Sequence, residues 1–322
     1  MATGNGAYVV HKIIQDNIPN YSVIGYNPYR TLFPPSLCTV GRSDKSKLIH
    51  TTPDYAPFHI RKKTPLVITF HNYVLDNFMR NYSSYLQVLH YRTDLRWFTR
   101  LAVRQATSIT AVSNFTANLA KQDMGIESEI QVIYNGVDDR VFRPLQQAVS
   151  RMKNITVLFS GNLSQRKGAQ WLLPITRKLH SNIKILYTSG LRSNNKLPDH
   201  PQLQCIGQVS YPDMPNLYQQ ADMLLFPTVR EGLSLAAIEA MACGLPLVAT
   251  HCSSMPELID EGLGGFLCPL GDVNAFAEKI NLLAENPQLR REMGEYNRAK
   301  VEQRFTLNRM VQEYRELFDS LL

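Results

Sequence analysis

Residues 222–246 read DMLLFPTVREGLSLAAIEAMACGLP, and this stretch carries the strongest indication of the fold. An apolar run of strand type ends at Pro227, a short loop follows, and Ser234 can cap a helix of small and apolar residues. Strand, loop and helix in this order form one unit of a parallel α/β sheet. Ligands of such sheets bind beyond the carboxyl ends of the strands, where a helix N-terminus offers free N–H groups to phosphate. The stretch therefore predicts a ligand site.

Two glutamates stand out in this stretch. Glu239 falls in the second turn of the helix among apolar residues, where a buried carboxylate is costly unless hydrogen-bond donors meet it. The two hydroxyls of a ribose would supply such donors. The alternative is that Glu239 pairs with a structural arginine or caps backbone groups. Glu231 lies in the loop beside Gly232, and its position ahead of Glu239 makes it a second candidate.

Short apolar runs alternate with longer amphipathic runs along the chain, which is the pattern of βα units. In the first half, the predicted strands lie at 21–26, 47–50, 65–70, 108–112 and 130–134, and the predicted helices at 6–16, 78–105 and 114–123. The alternation then starts again, with strands at 155–159, 183–188, 203–206, 222–226, 246–249 and 265–268. We expect two α/β domains and a helix that crosses back to the first of them, with the bounds 1–148, 149–304 and 305–322.

The beginning of the chain departs from this pattern. A parallel α/β domain normally opens with a strand whose following loop carries glycines, but Gly4, Gly6 and a helical pattern come almost at once. We expect the first strand to be missing from this chain. The alternative is that residues 8–14 are themselves a strand, although their apolar spacing fits a period of 3.6 better than a period of 2.

Composition and charge exclude several classes of protein and indicate a class of partner. Of the 322 residues, 44% are hydrophobic and 19% are charged, and no apolar run is long enough to span a membrane, which predicts a globular, cytoplasmic protein. The 5 irregularly spaced cysteines predict reduced thiols, with neither a disulfide nor a zinc site. The net charge of +7 is concentrated in residues 1–150, where 16 Lys and Arg face 10 Asp and Glu, a net of +6. This excess favours an anionic partner.

Further motifs accompany the paired glutamates. Residues 159–168 read FSGNLSQRKG, a loop directly after a predicted strand. The shorter motifs are Val112-Ser113, Asn135-Gly136-Val137-Asp138, Ala221-Asp222, Pro256-Glu257, Gly265-Phe266-Leu267 and Phe305-Thr306. In this order they resemble the retaining glycosyltransferases of family 4 (group 1), which have the GT-B fold of two facing Rossmann-like domains. The resemblance covers residues 60–310, and its strength lies in the ordered set, since any one motif alone is weak.

The resemblance implies roles for residues of the second domain. Glu239 would hold the nucleotide ribose, Glu231 the hydroxyls of the donor sugar, and Lys167 the diphosphate, whose negative charge grows as it departs. The family usually has arginine where this chain has Asn162, so Arg166 either substitutes as a donor-binding cation or points to solvent. The other donor-binding positions are Gly161, Gly232, Leu233, Ser234 and Leu235.

The resemblance also assigns residues of the first domain. His71, which follows the strand 65–70, resembles the family's histidine that approaches the donor sugar, so His71, Glu231 and Lys167 form the catalytic set. A purely structural role is the alternative for His71. Gly4 and Gly6 match the family's glycine-rich loop near the phosphates and the acceptor.

By the same resemblance, transfer retains the anomeric configuration and needs no metal. Attack on the face that the leaving group vacates requires no protein nucleophile, and the departing diphosphate takes the acceptor proton. No D-x-D motif is present, and we expect no cofactor. The substrates would be a UDP- or GDP-sugar and a glycan or lipid-linked acceptor of surface polysaccharide or glycolipid synthesis. The alternative is a GT-B protein that binds a nucleotide sugar without transferring it.

A basic stripe is predicted on the helix 78–105. Its arginines recur every fourth residue, at Arg92, Arg96, Arg100 and Arg104, and a second basic group is Arg61, Lys62 and Lys63. With the aromatic residues nearby, this stripe could dock on anionic lipid at the inner face of the cytoplasmic membrane. The alternative is a solvated face whose apolar side lies in the domain core. We expect no nucleic-acid partner, because the aromatic residues lie on a helix and not on a sheet or cleft suited to base stacking.

Overall fold

The computed structural model describes residues 1–42, 45–145, 154–189 and 197–322. They form two compact units, Met1–Asn135 with Asn308–Leu322, and Gly136–Leu307. The expected domain boundary at 148/149 lies outside the described residues. Residues 136–145, which the sequence pattern assigned to the first domain, group with the second unit. Phe142 ties this segment there, because its ring packs against those of Tyr211 and Tyr218.

A parallel sheet with the strand order β1-β2-β3-β4 forms the centre of the first unit. The elements in chain order are α1 (Gly6–Asn17), β1 (Ile49–Thr51), β2 (Leu66–Phe70), α2 (Tyr85–Arg92), α3 (Asp94–Gln105), β3 (Ser108–Ala111), α4 (Asn114–Met124) and β4 (Gln131–Val132). Short 3-10 helices lie at Pro28–Leu32, Pro34–Thr39, Ala56–Phe58 and Asn77–Tyr82. Every residue of β2 is buried, as in a parallel strand that is covered on both faces.

The start of the chain is helical, which decides between the two interpretations of residues 8–14. Asn5 caps α1, because its side-chain oxygen accepts a hydrogen bond from the Tyr8 amide at 2.8 Å. The predicted helix is therefore confirmed. Ahead of it, Ala2 forms one parallel bridge to Tyr26.

Two predictions for the first unit are wrong. The expected strand 21–26 does not form, since Tyr26 alone is bridged and the Val23 amide donates to the side chain of Gln15 at 2.8 Å. The expected single helix 78–105 is a 3-10 helix followed by α2 and α3. Ser84 starts α2 with a capping box, and Thr93, at φ −104° and ψ −101°, separates α2 from α3.

Each strand predicted for the second half is present in the second unit. Its elements in chain order are β5 (Ile155–Phe159), α5 (Ala169–Thr176), β6 (Ile183–Thr188), β7 (Leu203–Gly207), α6 (Met214–Gln219), β8 (Met223–Phe226), α7 (Leu235–Ala242), β9 (Leu247–Thr250), α8 (Met255–Leu258), β10 (Gly265–Cys268), α9 (Val273–Glu285) and α10 (Pro287–Arg304). The parallel sheet has the order β10-β9-β8-β5-β6-β7. The chain runs outward from β5 to β7, returns to β8 beside β5, and continues to the other edge. The strand order therefore reverses between β5 and β8.

The final helix is α11 (Leu307–Asp319), which follows breaks at Pro287 and Phe305. From Asn308 onward its residues group with the first unit. There Tyr314 and Phe318 pack on the ring of His50, with centroid distances of 5.2 and 5.3 Å. The last helix thus contributes aromatic residues to the core of the unit in which the chain began.

Candidate functional site

Two loops meet where the strand order of the second sheet reverses. Residues 160–168 follow β5, and residues 227–234 follow its neighbour β8. The carbonyl oxygen of Arg166 accepts hydrogen bonds from the Val229 amide at 2.8 Å and from the Thr228 hydroxyl at 3.1 Å. A crevice beyond the carboxyl ends at such a reversal is the usual ligand position of open α/β sheets. The structure therefore places the donor-binding candidates of both loops at one edge.

Glycine is required where the two loops approach most closely. Gly168 has φ +78°, and a Cβ on it would lie 1.9 Å from the carbonyl oxygen of Pro227. Any side chain would therefore force the loops apart. Gly161, at the start of the same loop, donates its amide to the Thr188 hydroxyl at 3.0 Å. The two glycines fix the backbone on either side of the cationic residues.

Lys167 and Glu231 form an ion pair across the two loops. The Lys167 Nζ lies 2.7 Å from Oε1 of Glu231, and their side chains are only 18% and 10% exposed. The same carboxylate oxygen accepts the Thr228 hydroxyl at 2.7 Å, and Nζ lies 5.2 Å from the centroid of the Phe226 ring. Two of the three predicted catalytic residues are thus in direct contact. An anionic ligand that takes Lys167 must share or replace its carboxylate partner.

The N-terminus of α7 completes this edge. Ser234 caps the helix by accepting the Ala237 amide at 3.3 Å, and Leu235 is the first helical residue. Three residues ahead of this cap, the amide of Glu231 donates a hydrogen bond to the Ser253 hydroxyl at 3.0 Å. Gly232 and Leu233 connect the glutamate to the cap, so the backbone of this segment is held at both ends. A helix start in this place carries a partial positive charge that favours phosphate.

Glu239 is enclosed inside α7, with 5% of its surface exposed. Its partners are tyrosine hydroxyls, because Tyr218 donates to Oε2 at 2.9 Å and Tyr211 forms a second hydrogen bond. Burial raises the pKa of Glu239 to about 7, and the two hydroxyls oppose the rise. Neither an arginine pair nor a backbone cap accounts for this carboxyl in the described part of the chain. A buried acid held by two hydroxyls is an environment that ribose hydroxyls could take over.

The other donor-binding candidate of the first loop is less enclosed. Arg166 is exposed, and its carbonyl group, not its side chain, holds the second loop. Tyr211, Tyr218 and Thr228 are site residues that the sequence pattern missed. The two tyrosines lie on the chain between β7 and β8, so only the packing of that segment against α7 brings them to Glu239. No spacing within residues 222–246 indicates this contact.

His71, Gly4 and Gly6 belong to the first unit, whereas the two glutamates and Lys167 belong to the second. His71 follows β2 and is half-buried, and burial lowers its pKa to about 4, so the ring is neutral at pH 7. Gly4 has φ +75°, and Gly6 is the first residue of α1. The ring of His11, on α1, lies 5.2 Å from that of His71. Within this unit the helix after the glycines thus adjoins the predicted histidine.

The predicted basic stripe is not continuous. Arg92 ends α2, whereas the following arginines lie on α3, because the helix breaks at Thr93. Arg96 is a structural residue, since it pairs with Asp123 at 2.6 Å and donates to the Leu75 carbonyl at 3.1 Å. The inclusion of Arg96 in an exposed stripe was therefore wrong. Arg100 and Arg104 are exposed, as are Arg92, Lys62 and Lys63.

The apolar residues of the same region are also exposed. The exposed fractions are 82% for Tyr85, 75% for Leu86, 51% for Leu89 and 61% for Trp97. The alternative in which the apolar side of this region lies in the core therefore does not hold for these four side chains. Aromatic, aliphatic and basic side chains share one exposed pair of helices.

Neither a metal cluster nor a membrane span is found among the described residues. They contain no group of three or more His, Cys, Asp or Glu side chains that could hold a metal ion. Nor does any described helix have the length and apolar character that crossing a membrane requires.

Comparison with known families covers both units. Residues 4–141 match the model described as Glycosyltransferase Family 4, and residues 154–286 match the model described as Glycosyl transferases group 1. The N-acetyl-alpha-D-glucosaminyl L-malate synthase of Bacillus anthracis is 24% identical over 95% of this chain and 83% of its own length. The capsular polysaccharide biosynthesis glycosyltransferase CapM of Staphylococcus aureus is 26% identical over 69% of this chain, a match that spans 64% of CapM.

Solved structures resemble the whole chain. Anabaena HepE in complex with UDP and glucose superposes with a TM-score of 0.81 at 20% identity, over 99% of this chain and 98% of that one. Sucrose-phosphate synthase from Thermosynechococcus elongatus superposes with a TM-score of 0.76 at 20% identity, over 94% and 82% of the two chains. These likenesses concern the fold, and they confirm the predicted two-domain α/β architecture of the GT-B type.

The raised pKa of Glu239 predicts that stability falls as the pH rises. The carboxyl has a pKa of 4.5 when unfolded and about 7 when folded, so between these values the folded chain holds a proton that the unfolded chain has lost. Glu239→Gln keeps a neutral group of similar shape and removes an ionisation cost of about 3 kcal/mol. Urea unfolding at pH 5 and pH 8 measures the effect. The variant should gain about 2.5 kcal/mol on wild type between pH 5 and pH 8, because a small part of the ionisation cost is already present at pH 5.

The exposed Glu295 provides the control. The free energy of unfolding of Glu295→Gln should change between pH 5 and pH 8 by the same amount as that of wild type. If the free energy of unfolding of Glu239→Gln also changes with pH as that of wild type does, the buried carboxyl does not carry the extra proton.

Proposed function

Because this chain belongs to the glycosyltransferases of family 4, group 1, we propose that it transfers a sugar from a nucleoside diphosphate sugar to an acceptor with retention of anomeric configuration. The observation that carries the proposal is the pairing of Lys167 with Glu231 beside the start of α7, at the reversal of the strand order. A cation, a carboxylate and a helix N-terminus are the groups that a diphosphate and a sugar require.

The donor is bound by the second unit. Glu239 holds the ribose, because its tyrosine partners show that the carboxyl accepts hydroxyl donors. Lys167 and the backbone N–H groups from Gly232 to Leu235 hold the diphosphate, while Gly161 shapes the facing loop. Glu231, released from Lys167, accepts the hydroxyls of the sugar. The donor is a UDP- or GDP-sugar, and the structure of HepE in complex with UDP and glucose makes UDP the first nucleotide to test.

With the donor bound in this way, the transfer reaction takes the following course. The bond between the anomeric carbon and the diphosphate oxygen breaks, and the acceptor oxygen bonds the same face of that carbon. The acceptor proton passes to the leaving diphosphate, so the protein supplies neither a base nor a nucleophile. Lys167 and the start of α7 neutralise the charge that develops on the diphosphate, which is the task that a metal ion performs in other enzymes. Transfer is therefore metal-independent.

The acceptor is a glycan or a lipid-linked glycan in the synthesis of surface polysaccharide or glycolipid. The name of CapM, a capsular polysaccharide biosynthesis glycosyltransferase, supports this class. The enzyme works in the cytoplasm at the inner face of the membrane. It docks there through the exposed side chains of α2 and α3 together with Lys62 and Lys63. Gly4 and Gly6 are proposed as a phosphate or acceptor loop and His71 as a catalytic residue, all three within the first unit.

A binding protein without transfer is the second candidate. The observation that favours it is Asn162, which occupies the position of the family's arginine and removes one cation from the loop. Such a protein would bind the nucleotide sugar and release no nucleoside diphosphate with any acceptor.

Donor binding and transfer test the proposal together. One of UDP, GDP or ADP, with its sugars, should raise the melting temperature of wild type in EDTA, because a ligand of the folded state stabilises it by mass action. Glu239→Ala should abolish this shift. Lys167→Ala should lower kcat by about 100-fold or more, since Lys167 acts on the departing charge. The coupling constant of the product's anomeric proton shows whether the configuration of the donor is retained.

The results of these experiments distinguish the transferase from the binding protein. Stabilisation by a nucleotide without turnover would favour the binding protein. A Lys167→Ala, Glu239→Ala double variant with normal turnover would exclude the proposed site, and loss of turnover in EDTA would exclude metal-independent transfer.

Membrane docking is tested with vesicles. Wild type should sediment with phosphatidylglycerol vesicles and not with neutral phosphatidylcholine vesicles, because each basic residue near an anionic surface contributes about 1 kcal/mol. Arg100→Glu with Arg104→Glu should lower the vesicle affinity by about tenfold or more. Lys178→Glu with Lys184→Glu, exposed residues of the second unit, is the matched control. Equal loss in both double variants would mean that general charge, not this surface, attracts the protein.

A further inference from the structure

Residues 27–39 of the first unit contain two short 3-10 helices and carry large apolar side chains that face water. The exposed fractions are 79% for Tyr29, 83% for Leu32 and 67% for Phe33. A single exposed apolar residue is ordinary, whereas several large ones close together form a patch of the kind that marks a binding surface. We call residues 27–39 the apolar loop.

The apolar loop is held together by its own arginine. Nη2 of Arg30 donates to the Ser36 carbonyl and to the Thr39 hydroxyl, so the half-buried guanidinium joins the two 3-10 helices. Leu37 of the second helix is fully buried and anchors the loop in the unit. The exposed apolar side chains therefore project from a fixed backbone, which loses little conformational entropy when a surface covers them.

The charge around the apolar loop is positive. The sequence from residue 17 to residue 43 contains neither Asp nor Glu. Nη2 of Arg61 donates to the Gly41 carbonyl just after the loop, which brings the exposed Lys62 and Lys63 close to it. Lysine is depleted at protein–protein interfaces, whereas apolar side chains edged by cations match a bilayer in which acyl chains lie below anionic headgroups. The surroundings of the loop therefore favour a lipid surface over a protein partner.

The apolar loop adjoins α2 and α3, whose apolar and basic side chains are also exposed. Tyr55 connects the three elements, because its hydroxyl forms hydrogen bonds with Thr31 of the loop and, at 3.4 Å, with Nε2 of His90 on α2. The ring of Tyr55 also lies 6.3 Å from that of Phe98 on α3. The exposed apolar residues of the loop and of the two helices thus belong to one region of the first unit.

We propose that the apolar loop inserts Tyr29, Leu32 and Phe33 among the headgroups of an anionic bilayer. This inference rests on the membrane docking of the proposed function, and it names the element that enters the bilayer. Three side chains bury less apolar surface than one acyl chain, which alone gives only marginal membrane binding. The loop therefore acts together with the cations of α2, α3 and the neighbouring lysines, and stable binding requires both contributions.

Leu32→Ser with Phe33→Ser tests insertion without a change of charge. This double variant should bind phosphatidylglycerol vesicles about tenfold or more weakly than wild type, because the burial of one such side chain suffices for a tenfold change. The factor should be equal at low and at physiological ionic strength, since the charges are intact, whereas the loss in the charge-reversed α3 variant should shrink as salt screens it. Leu263→Ser with Val141→Ser, exposed apolar residues of the second unit, is the matched control and should bind as wild type does.

Tryptophan fluorescence reports entry into the bilayer directly. Leu32→Trp should add an emission that phosphatidylglycerol vesicles shift to shorter wavelengths and that phosphatidylglycerol brominated on its acyl chains quenches. Wild type, which has Trp97 and Trp171, supplies the background to be subtracted. Leu263→Trp is the control, because Leu263 is 55% exposed in the second unit, and its added emission should neither shift nor be quenched.

The results distinguish insertion from the other uses of this surface. Unchanged vesicle affinity of Leu32→Ser with Phe33→Ser, or an unshifted Leu32→Trp emission on bound protein, would overturn insertion and leave docking by charge intact. If wild type self-associates and the serine variant is monomeric with unchanged vesicle affinity, the loop binds a second copy and insertion is overturned. A wild type without vesicle affinity would overturn docking and insertion together. Donor binding and transfer are measured in solution, so they stand or fall separately.

Discussion

One carboxyl group, that of Glu239, is buried inside the second unit, and hydrogen-bond donors must meet it there. α7 is otherwise made of small and apolar residues, and Ala237–Ala242 are all buried. A carboxyl persists there because two tyrosine hydroxyls donate to it, and these tyrosines come from the segment before β8. The acid therefore ties α6 and its preceding turn to α7, and it does so with bonds that a diol can replace. In the proposed function, stability and donor binding therefore depend on the same oxygen atoms of Glu239.

The second constraint is the closeness of the two loops. Gly168 allows the loop after β5 to touch the Pro227 carbonyl, and this contact brings Lys167 within 2.7 Å of Glu231. A partly buried ion pair of this kind contributes little net stability, because desolvation offsets attraction. In the proposed function, both members of the pair exchange partners when the donor binds. A diphosphate sugar offers an anion to Lys167 and hydroxyls to Glu231, so neither charge is left unpaired when the pair opens.

The sequence predicted the second unit better than the first for a physical reason. Its strands are buried apolar runs, and the loop from Pro227 to Ser234 contains its own cap, so local signals suffice. Tyr218 was missed because its contact with Glu239 depends on how the segment before β8 packs. In the first unit the periodicity of 78–105 ran through Ser84, whose capping box begins α2, and through Thr93, where α2 ends and α3 follows. Arg96 looked exposed by spacing, and only the position of Asp123 shows that it is structural.

If a donor takes over the Glu239 carboxyl, as we propose, proton release should accompany its binding. The ionised form accepts ribose hydroxyls best, whereas its pKa of about 7 leaves most of the free protein protonated at pH 6.5. Titration calorimetry of a nucleotide sugar, whose diphosphate does not ionise near this pH, is run in two buffers of different ionisation enthalpy. Wild type should release roughly half a proton or more, and Glu239→Gln should release none. Tight binding by wild type with no proton release would mean that the donor does not engage this carboxyl.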